Sequence, residues 1–295
     1  MSTEPVHHRI LVPIDGSECS DAAVGFALRF AGPTGELIFA NAFDINTVIA
    51  ESTTPYGGDP SIVIDALETD RRELFAAATA RARAAGVSAR TFDLDGSAVD
   101  VIVELSGHVG ADAIVMGTHG RRGLARAALG SVADGVLRRA DIPTFVVRAE
   151  SNFTAAPDVL VRRIAAAIDA SDAAAAAAAF AVDLAAAYRA EVTFVHVDDG
   201  PRDEALEHAV ERLRLLAAAA GVRSDVVHAY GRPRDAIVTA AAKVHADLIA
   251  IGTHGRDAVA RLLLGSVAEG VVLTSAVPVV VVRANVPVAA PHPAP

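Results

Sequence analysis

Apolar and polar positions along the chain alternate between two periods. Short apolar runs read as buried strands: HRILVPID (8–15), ELIFANAF (36–43), VSARTFDL (87–94), ADAIVM (111–116) and IPTFVVR (142–148). Segments of helical spacing separate them. The first is GSECSDAAVGFALRFA, where Ser17 or Ser20 is placed to cap the helix. A longer one covers 64–85 and stops at Gly86, and SAVDVIVELSGHVG and 130–140 follow. The order β-α-β-α-β-α-β-α-β predicts a parallel sheet with helices on both faces.

The same order then repeats. After SNFTAAPD (151–158), which reads as a linker, come VLVRRIAAAID, SDAAAAAAAFAVDLAAAY, EVTFVHV and a helix around 203–220. VRSDVVHA, RPRDAIVTAAAKV, DLIAI and VPVVVVR complete the second copy. The expected organisation is a first domain over 1–150, the linker 151–158, a second domain over 159–285 and a disordered Pro/Ala-rich tail over 286–295. Asp15 and Asp169 stand 154 positions apart, whereas Gly117 and Gly252 stand 135 apart. The first copy is therefore longer, and the polar, Gly/Pro-containing stretch 44–63 holds the surplus. It reads as a surface loop or, through Tyr56, as a flap over the adjoining crevice.

The most informative stretch occurs twice. GTHGRRGLARAALGS (117–131) and GTHGRDAVARLLLGS (252–266) share one glycine spacing, each after an apolar run and before a helical pattern. Helix N-termini carry unpaired N–H groups and the positive end of the helix dipole, so an anion is favoured there. Glycine admits close approach of the backbone and positive φ, and Ser131 and Ser266 add hydroxyl donors. Both loops read as phosphate cradles. The competing reading is purely structural, a turn plus a close helix–sheet contact. No G-K-[ST] follows, Lys243 is the only lysine, and G-x-G-x-x-G is absent, so neither a P-loop nor a dinucleotide fingerprint is present.

Composition narrows the picture. A hydrophobic fraction of 52% with only 4% aromatics predicts Val/Ile/Leu/Ala cores. The net charge of −10 and the lack of a dense basic block argue against nucleic acid as a partner. Arg121, Arg122 and Arg126 give the first loop a positive field, whereas Asp257 offsets Arg256 and Arg261 in the second. Cys19 is the lone cysteine, which excludes an intramolecular disulfide and a Cys-based zinc site. With no signal peptide or spanning segment expected, the expectation is a cytoplasmic protein with no membrane partner.

In an open parallel sheet, ligands bind at the carboxyl ends of the strands where the strand order reverses. With order 3-2-1-4-5, Asp15 and Gly117 flank that crevice. Asp15 then serves a ribose, a base or a magnesium ion, or forms an Asx turn for the next helix. His119 and His254 sit inside the loops as phosphate donors or as supporting groups. No Ser-His-Asp set, paired carboxylates or H-E-x-x-H motif appears, so no catalytic residue is assigned.

V-P-I-D-G-S, A-D-A-I-V-M-G-T-H-G-R, the repeated glycine loop and I-P-T-F-V-V-R resemble the universal stress protein family, once per half. The resemblance implies two tandem Rossmann-like α/β domains, each a five-stranded parallel sheet of order 3-2-1-4-5. It implies ATP with Mg2+ held through the phosphates. By match to that family's motifs, the first-half contacts are Pro13, Asp15, Ala42, Met116, Gly117, Gly120, Gly130, Ser131 and Val132. The second-half contacts are Ala167, Asp169, Val197, Gly252, Gly255, Gly265, Ser266 and Val267. It also implies pairing of the halves through their fifth strands as an intramolecular pseudo-dimer, with further homodimerisation open. V-P-I-D becomes A-A-I-D in the second half, which weakens that site. The function implied is a nucleotide-dependent stress regulator, and a slow ATPase or phosphotransferase using the same crevice is the alternative.

Overall fold

The computed structural model describes residues 9–32, 34–43, 60–120, 128–151, 161–198, 204–253 and 264–284, with side chains at 60–63 excepted. In the first half β1 (Arg9–Pro13), α1 (Glu18–Ala31), β2 (Glu36–Phe43), α2 (Pro60–Ala84) and β3 (Ser88–Asp95) come first. Then follow α3 (Ala98–His108), β4 (Ala113–Gly117), α4 (Ser131–Arg139) and β5 (Thr144–Val147). The second half contains β6 (Arg163–Ile168), α5 (Asp172–Tyr188), β7 (Glu191–Asp198), α6 (Glu204–Ala219) and β8 (Ser224–Tyr230). It ends with α7 (Pro233–Lys243), β9 (Leu248–Gly252), α8 (Ser266–Thr274) and β10 (Val279–Val282).

The strand order is β3-β2-β1-β4-β5-β10-β9-β6-β7-β8, so each half is a 3-2-1-4-5 unit and all ten strands lie in one sheet. Pairing is parallel within each half. At the seam it is antiparallel, with Val279 opposite Val146, Val280 opposite Phe145 and Val281 opposite Thr144.

Strand side chains alternate between faces. Ile10, Val12, Ile164, Ala166, Val280 and Val282 join one core with α1, α2, α5 and α6 that is continuous across both halves. Leu11 and Ile114 face α3 and α4 on the other side, and Ala165, Ile249 and Val281 face α7 and α8. Leu137 of α4 belongs to the second-half core, so the two halves share packing on this face as well.

Aromatic residues concentrate at the seam. The rings of Phe30 and Phe145 lie 4.6 Å apart, Phe30 and Tyr188 5.6 Å, and Phe145 and Phe180 6.1 Å. The Tyr188 hydroxyl donates to the Phe30 carbonyl at 2.7 Å, linking α5 of one half to α1 of the other. Burial raises the Tyr188 pKa well above its ordinary value, which keeps the hydroxyl a donor.

Local departures have clear causes. The stretch expected to be irregular through residue 63 is already helical from Pro60, where the fixed φ of proline suits a first helical turn. Residues 44–59 and the linker from 152 to 158 lie outside the described residues, as do Tyr56 and the tail 286–295. Three alanines in β6 (Ala165, Ala166, Ala167) form a strand despite weak β propensity, because the strand is buried on both faces. Ser17, not Ser20, caps α1. Among the described residues no helix is long and apolar enough to cross a membrane.

Asp183, half-buried on α5, has its pKa raised from 3.8 by desolvation. Its folded form therefore holds a proton more tightly than its unfolded form. Ionised, above the folded pKa, it destabilises the fold, and the penalty vanishes as pH falls below the unfolded value. Asp183→Asn is expected to raise the melting temperature at pH 7 and to lose that advantage toward pH 4. Parallel thermal melts across this range check both the direction and the pH dependence.

Candidate functional site

The first crevice begins where β1 ends. The Ile14 amide donates to Ala40 O at 2.8 Å, and Asn41 Nδ2 donates to Ile14 O at 2.6 Å. The chain therefore leaves the sheet held to β2, with Pro13 as the last strand residue. Asp15 follows and forms an Asx turn, its Oδ1 accepting from the Ser17 amide at 3.0 Å. The Ser17 hydroxyl lies 2.7 Å from Asp15 Oδ1 and 3.2 Å from His119 O, so one proton serves two acceptors. The same oxygen accepts from the Ser20 amide at 3.2 Å and caps α1.

Asp15 also abuts the glycine loop. A Cβ added at Gly120 would lie 2.5 Å from Asp15 Oδ2. The structural reading of Asp15, an Asx turn, is thus realised, and the turn sets its carboxylate against the cradle.

Thr118 ties the two ends of that loop. Its amide donates to Val147 O at 3.2 Å and its carbonyl accepts from Gly130 N at 2.9 Å. Its side chain is buried, with Oγ1 3.5 Å from Cys19 Sγ and 3.0 Å from His119 Nδ1. His119 Nε2 bonds the Ala128 carbonyl. Both ring nitrogens therefore hold the loop itself, and His119 acts here as a support. Gly130 then caps α4 without a side chain, and Ser131, at the first helical position, is exposed. The amides at this N-terminus receive no capping bond from a side chain of the N-cap residue.

The glycines are required by close approach. Gly117, Gly120 and Gly130 are not among the residues with positive φ, so of the two properties that glycine offers, close approach and left-handed backbone, only the first is used here. A Cβ at Gly117 would lie 2.7 Å from Cys19 Cβ, and one at Gly130 would lie 2.9 Å from Thr118 O. Such separations are well inside van der Waals contact.

The second half repeats the frame. Thr253 donates from its amide to Val282 O at 3.1 Å and accepts from Gly265 N at 2.7 Å. A Cβ at Gly252 would lie 2.6 Å from the Ala173 carbonyl carbon. Asp169 Oδ1 accepts from the Ser171 amide at 3.0 Å. His254, Gly255, Arg256, Asp257 and Arg261 lie outside the described residues, as do Arg121, Arg122 and Arg126 of the first loop.

The remaining expected contacts divide by environment. Ala42 and Val197 lie near the carboxyl ends of β2 and β7 and are half-buried. Val132 and Val267 pack partly onto the cores beneath α4 and α8, and Ser266 is exposed. Met116 and Ala167 are buried, so their side chains serve the core. Met116 is apolar within a strand covered on both faces, which accounts for this placement.

Sequence reasoning missed three features. Asn41 and its second-half counterpart His196 bond equivalent carbonyls at the exit of the first strand of their halves, Asn41 that of Ile14, just beyond β1, and His196 Nδ1 lying 3.2 Å from Ile168 O. His196 Nε2 lies 3.3 Å from Asp198 Oδ1, which is 3.5 Å from His228 Nδ1. The second crevice therefore has a histidine pair on the strand positions where the first has Asn41 and Asp93. The roles of Thr118 and Thr253 were visible only as the repeated T of GTHG. Among the described residues no group of three His, Cys, Asp or Glu side chains could hold a metal ion.

A family model described as the universal stress protein family matches residues 7–148 and again 161–283. A universal stress protein of Mycobacterium tuberculosis is 29% identical across 96% of this chain and 99% of its own length. A second, from Methanocaldococcus jannaschii, is 32% identical over 49% of this chain and 84% of its own length. The crystal structure of a universal stress protein from Archaeoglobus fulgidus superposes with a TM-score of 0.73 at 25% identity, covering 93% of this chain and 96% of that one.

Gly130→Val is expected to part Gly130 from Thr118 and open the first loop. Loss of hydrogen-exchange protection at the Gly130 amide, with the sheet amides unchanged, checks this. Retained protection would mean that the loop closes by other contacts.

Proposed function

The chain belongs to the universal stress protein family, and from that membership we propose that it is a nucleotide-dependent stress regulator that takes ATP at the crevice of each half. The two binding units are 1–150 and 159–285, joined by 151–158, and the protein acts in the cytoplasm without a nucleic-acid or membrane partner. The observation that carries this reading is the doubly tied glycine loop. Thr118 closes it at both ends, Asp15 stands against Gly120, and the loop delivers a side-chain-free N-cap at the start of α4.

The residues fit a polyphosphate. Ser131 and Val132 supply backbone amides and one hydroxyl at a helix N-terminus, where negative charge is stabilised, and Gly117, Gly120 and Gly130 let the backbone run close beside it. Asp15 is placed for a ribose hydroxyl or a base amine. Gly252, Gly255, Gly265, Ser266 and Val267 form the second cradle, with Asp169 in the role of Asp15. Mg2+ would be carried by the phosphates, since the described side chains provide no metal cage of their own. The bound nucleotide supplies charge and shape that order the loop, and no side chain is assigned as a catalytic base. Arg121, Arg122 and Arg126 favour the first cradle for a triphosphate.

Calorimetric titration with magnesium-ATP tests the reading. Wild-type protein is expected to take about two ATP per chain, the first-half cradle binding more tightly. Gly130→Val and Gly265→Val are each expected to remove one equivalent. Unchanged stoichiometry in both variants would exclude the glycine loops as the nucleotide sites.

A further inference from the structure

Two arginines cross the seam in opposite directions. Arg148, the residue after β5, donates from Nη1 to the carbonyl of Leu273 near the end of α8. Arg283, the residue after β10, donates from Nη1 to the carbonyl of Arg138 near the end of α4. The donors are 135 positions apart, and so are the acceptors, so the exchange is reciprocal. Each half thus caps the C-terminus of the helix whose N-terminus forms the other half's cradle.

Each arginine is also joined to a cradle in its own half. Val147, beside Arg148, accepts the Thr118 amide, and Thr118 accepts from Gly130. Val282, beside Arg283, accepts the Thr253 amide, and Thr253 accepts from Gly265. From the first cradle the connection runs along α4 to the Arg138 carbonyl, through Arg283 to Val282, and through Thr253 to Gly265. A matching connection runs from the second cradle along α8 and back through Arg148. Helices of this length span about 14 Å.

We propose that this reciprocal arginine exchange couples the two cradles, so that filling one raises the affinity of the other. The inference rests on the nucleotide reading above and adds a regulation to it. An anion at the N-terminus of α4 and a guanidinium at its C-terminus both stabilise the same helix dipole. A ligand that orders Thr118–Gly130 also fixes Val147 and Arg148, hence the end of α8 and the second cradle. The second ligand then meets a site whose ordering cost is already met, which is positive cooperativity. The link runs without a break through covalent and hydrogen-bonded contacts.

The test compares the affinity of each cradle alone with its affinity when its neighbour is full. Single-site affinities come from Gly265→Val and Gly130→Val, each combined with Arg148→Gln and Arg283→Gln so that the emptied cradle does not act on its neighbour. In wild type the second equivalent of magnesium-ATP is expected to bind at least about fivefold tighter than the corresponding isolated site. With Arg148→Gln and Arg283→Gln together, both equivalents should still bind, each at its isolated-site value. Independent or antagonistic sites in wild type, or cooperativity that survives the double replacement, would overturn the proposal. If the glutamine pair does not fold, Arg283→Lys keeps the cation with a shorter reach and should lower the cooperativity, and an unchanged value there also overturns it.

Failure of the nucleotide reading is separable. With no ligand present, Gly130→Val should alter hydrogen exchange at Thr253 and Gly265 through the intact arginines, and should leave it unaltered when both are glutamine. Unaltered exchange with the arginines intact refutes the link whether or not ATP binds.

Discussion

The antiparallel pairing of β5 with β10 is the constraint on which the rest depends. A five-stranded parallel unit ends on a strand whose outer N–H and C=O groups need partners, and an unpaired apolar edge invites aggregation. Here each half satisfies the other. Thr144–Val147 and Val279–Val282 are buried throughout, so neither strand is built to face water. Once they pair, the core beneath α1, α2, α5 and α6 becomes continuous, and much of a small aromatic inventory collects over the seam.

That seam also positions the crevices. Strands β5 and β10 carry, on their last residues, the carbonyls that hold Thr118 and Thr253. The glycine loops are therefore anchored to the strands that join the halves. Close packing explains why glycine is needed: Cys19 sits against Gly117, Asp15 against Gly120, and the loop's own backbone against Gly130. The close contacts fix only the two ends of the loop, Gly117–Gly120 and Gly130, against the rest of the half. The halves nevertheless differ at the rim, where His196 and His228 in one correspond to Asn41 and Asp93 in the other.

Much of this was legible in the sequence. Alternating apolar runs and helical spacing gave the element order, and the repeated glycine spacing gave the loop at the carboxyl end of each fourth strand. The sequence missed what depends on partners far along the chain. Arg148 and Arg283 read only as the ends of VVR runs, although their acceptors lie more than a hundred residues away. Met116, placed among the ligand contacts by family resemblance, has its side chain buried in the core. Pro60 looked like part of a loop because proline usually interrupts, and at the start of a helix it does not.

Nucleotide binding by the two glycine loops can be tested on the intact chain as it is purified. The most direct measurement is the identity and amount of nucleotide released when freshly purified protein is denatured. Adenine nucleotide is expected, between about one and two ATP per chain, with the higher value when purification keeps magnesium present. Protein that releases none, and that takes up none when magnesium-ATP is added back, would contradict it and leave the glycines with packing alone.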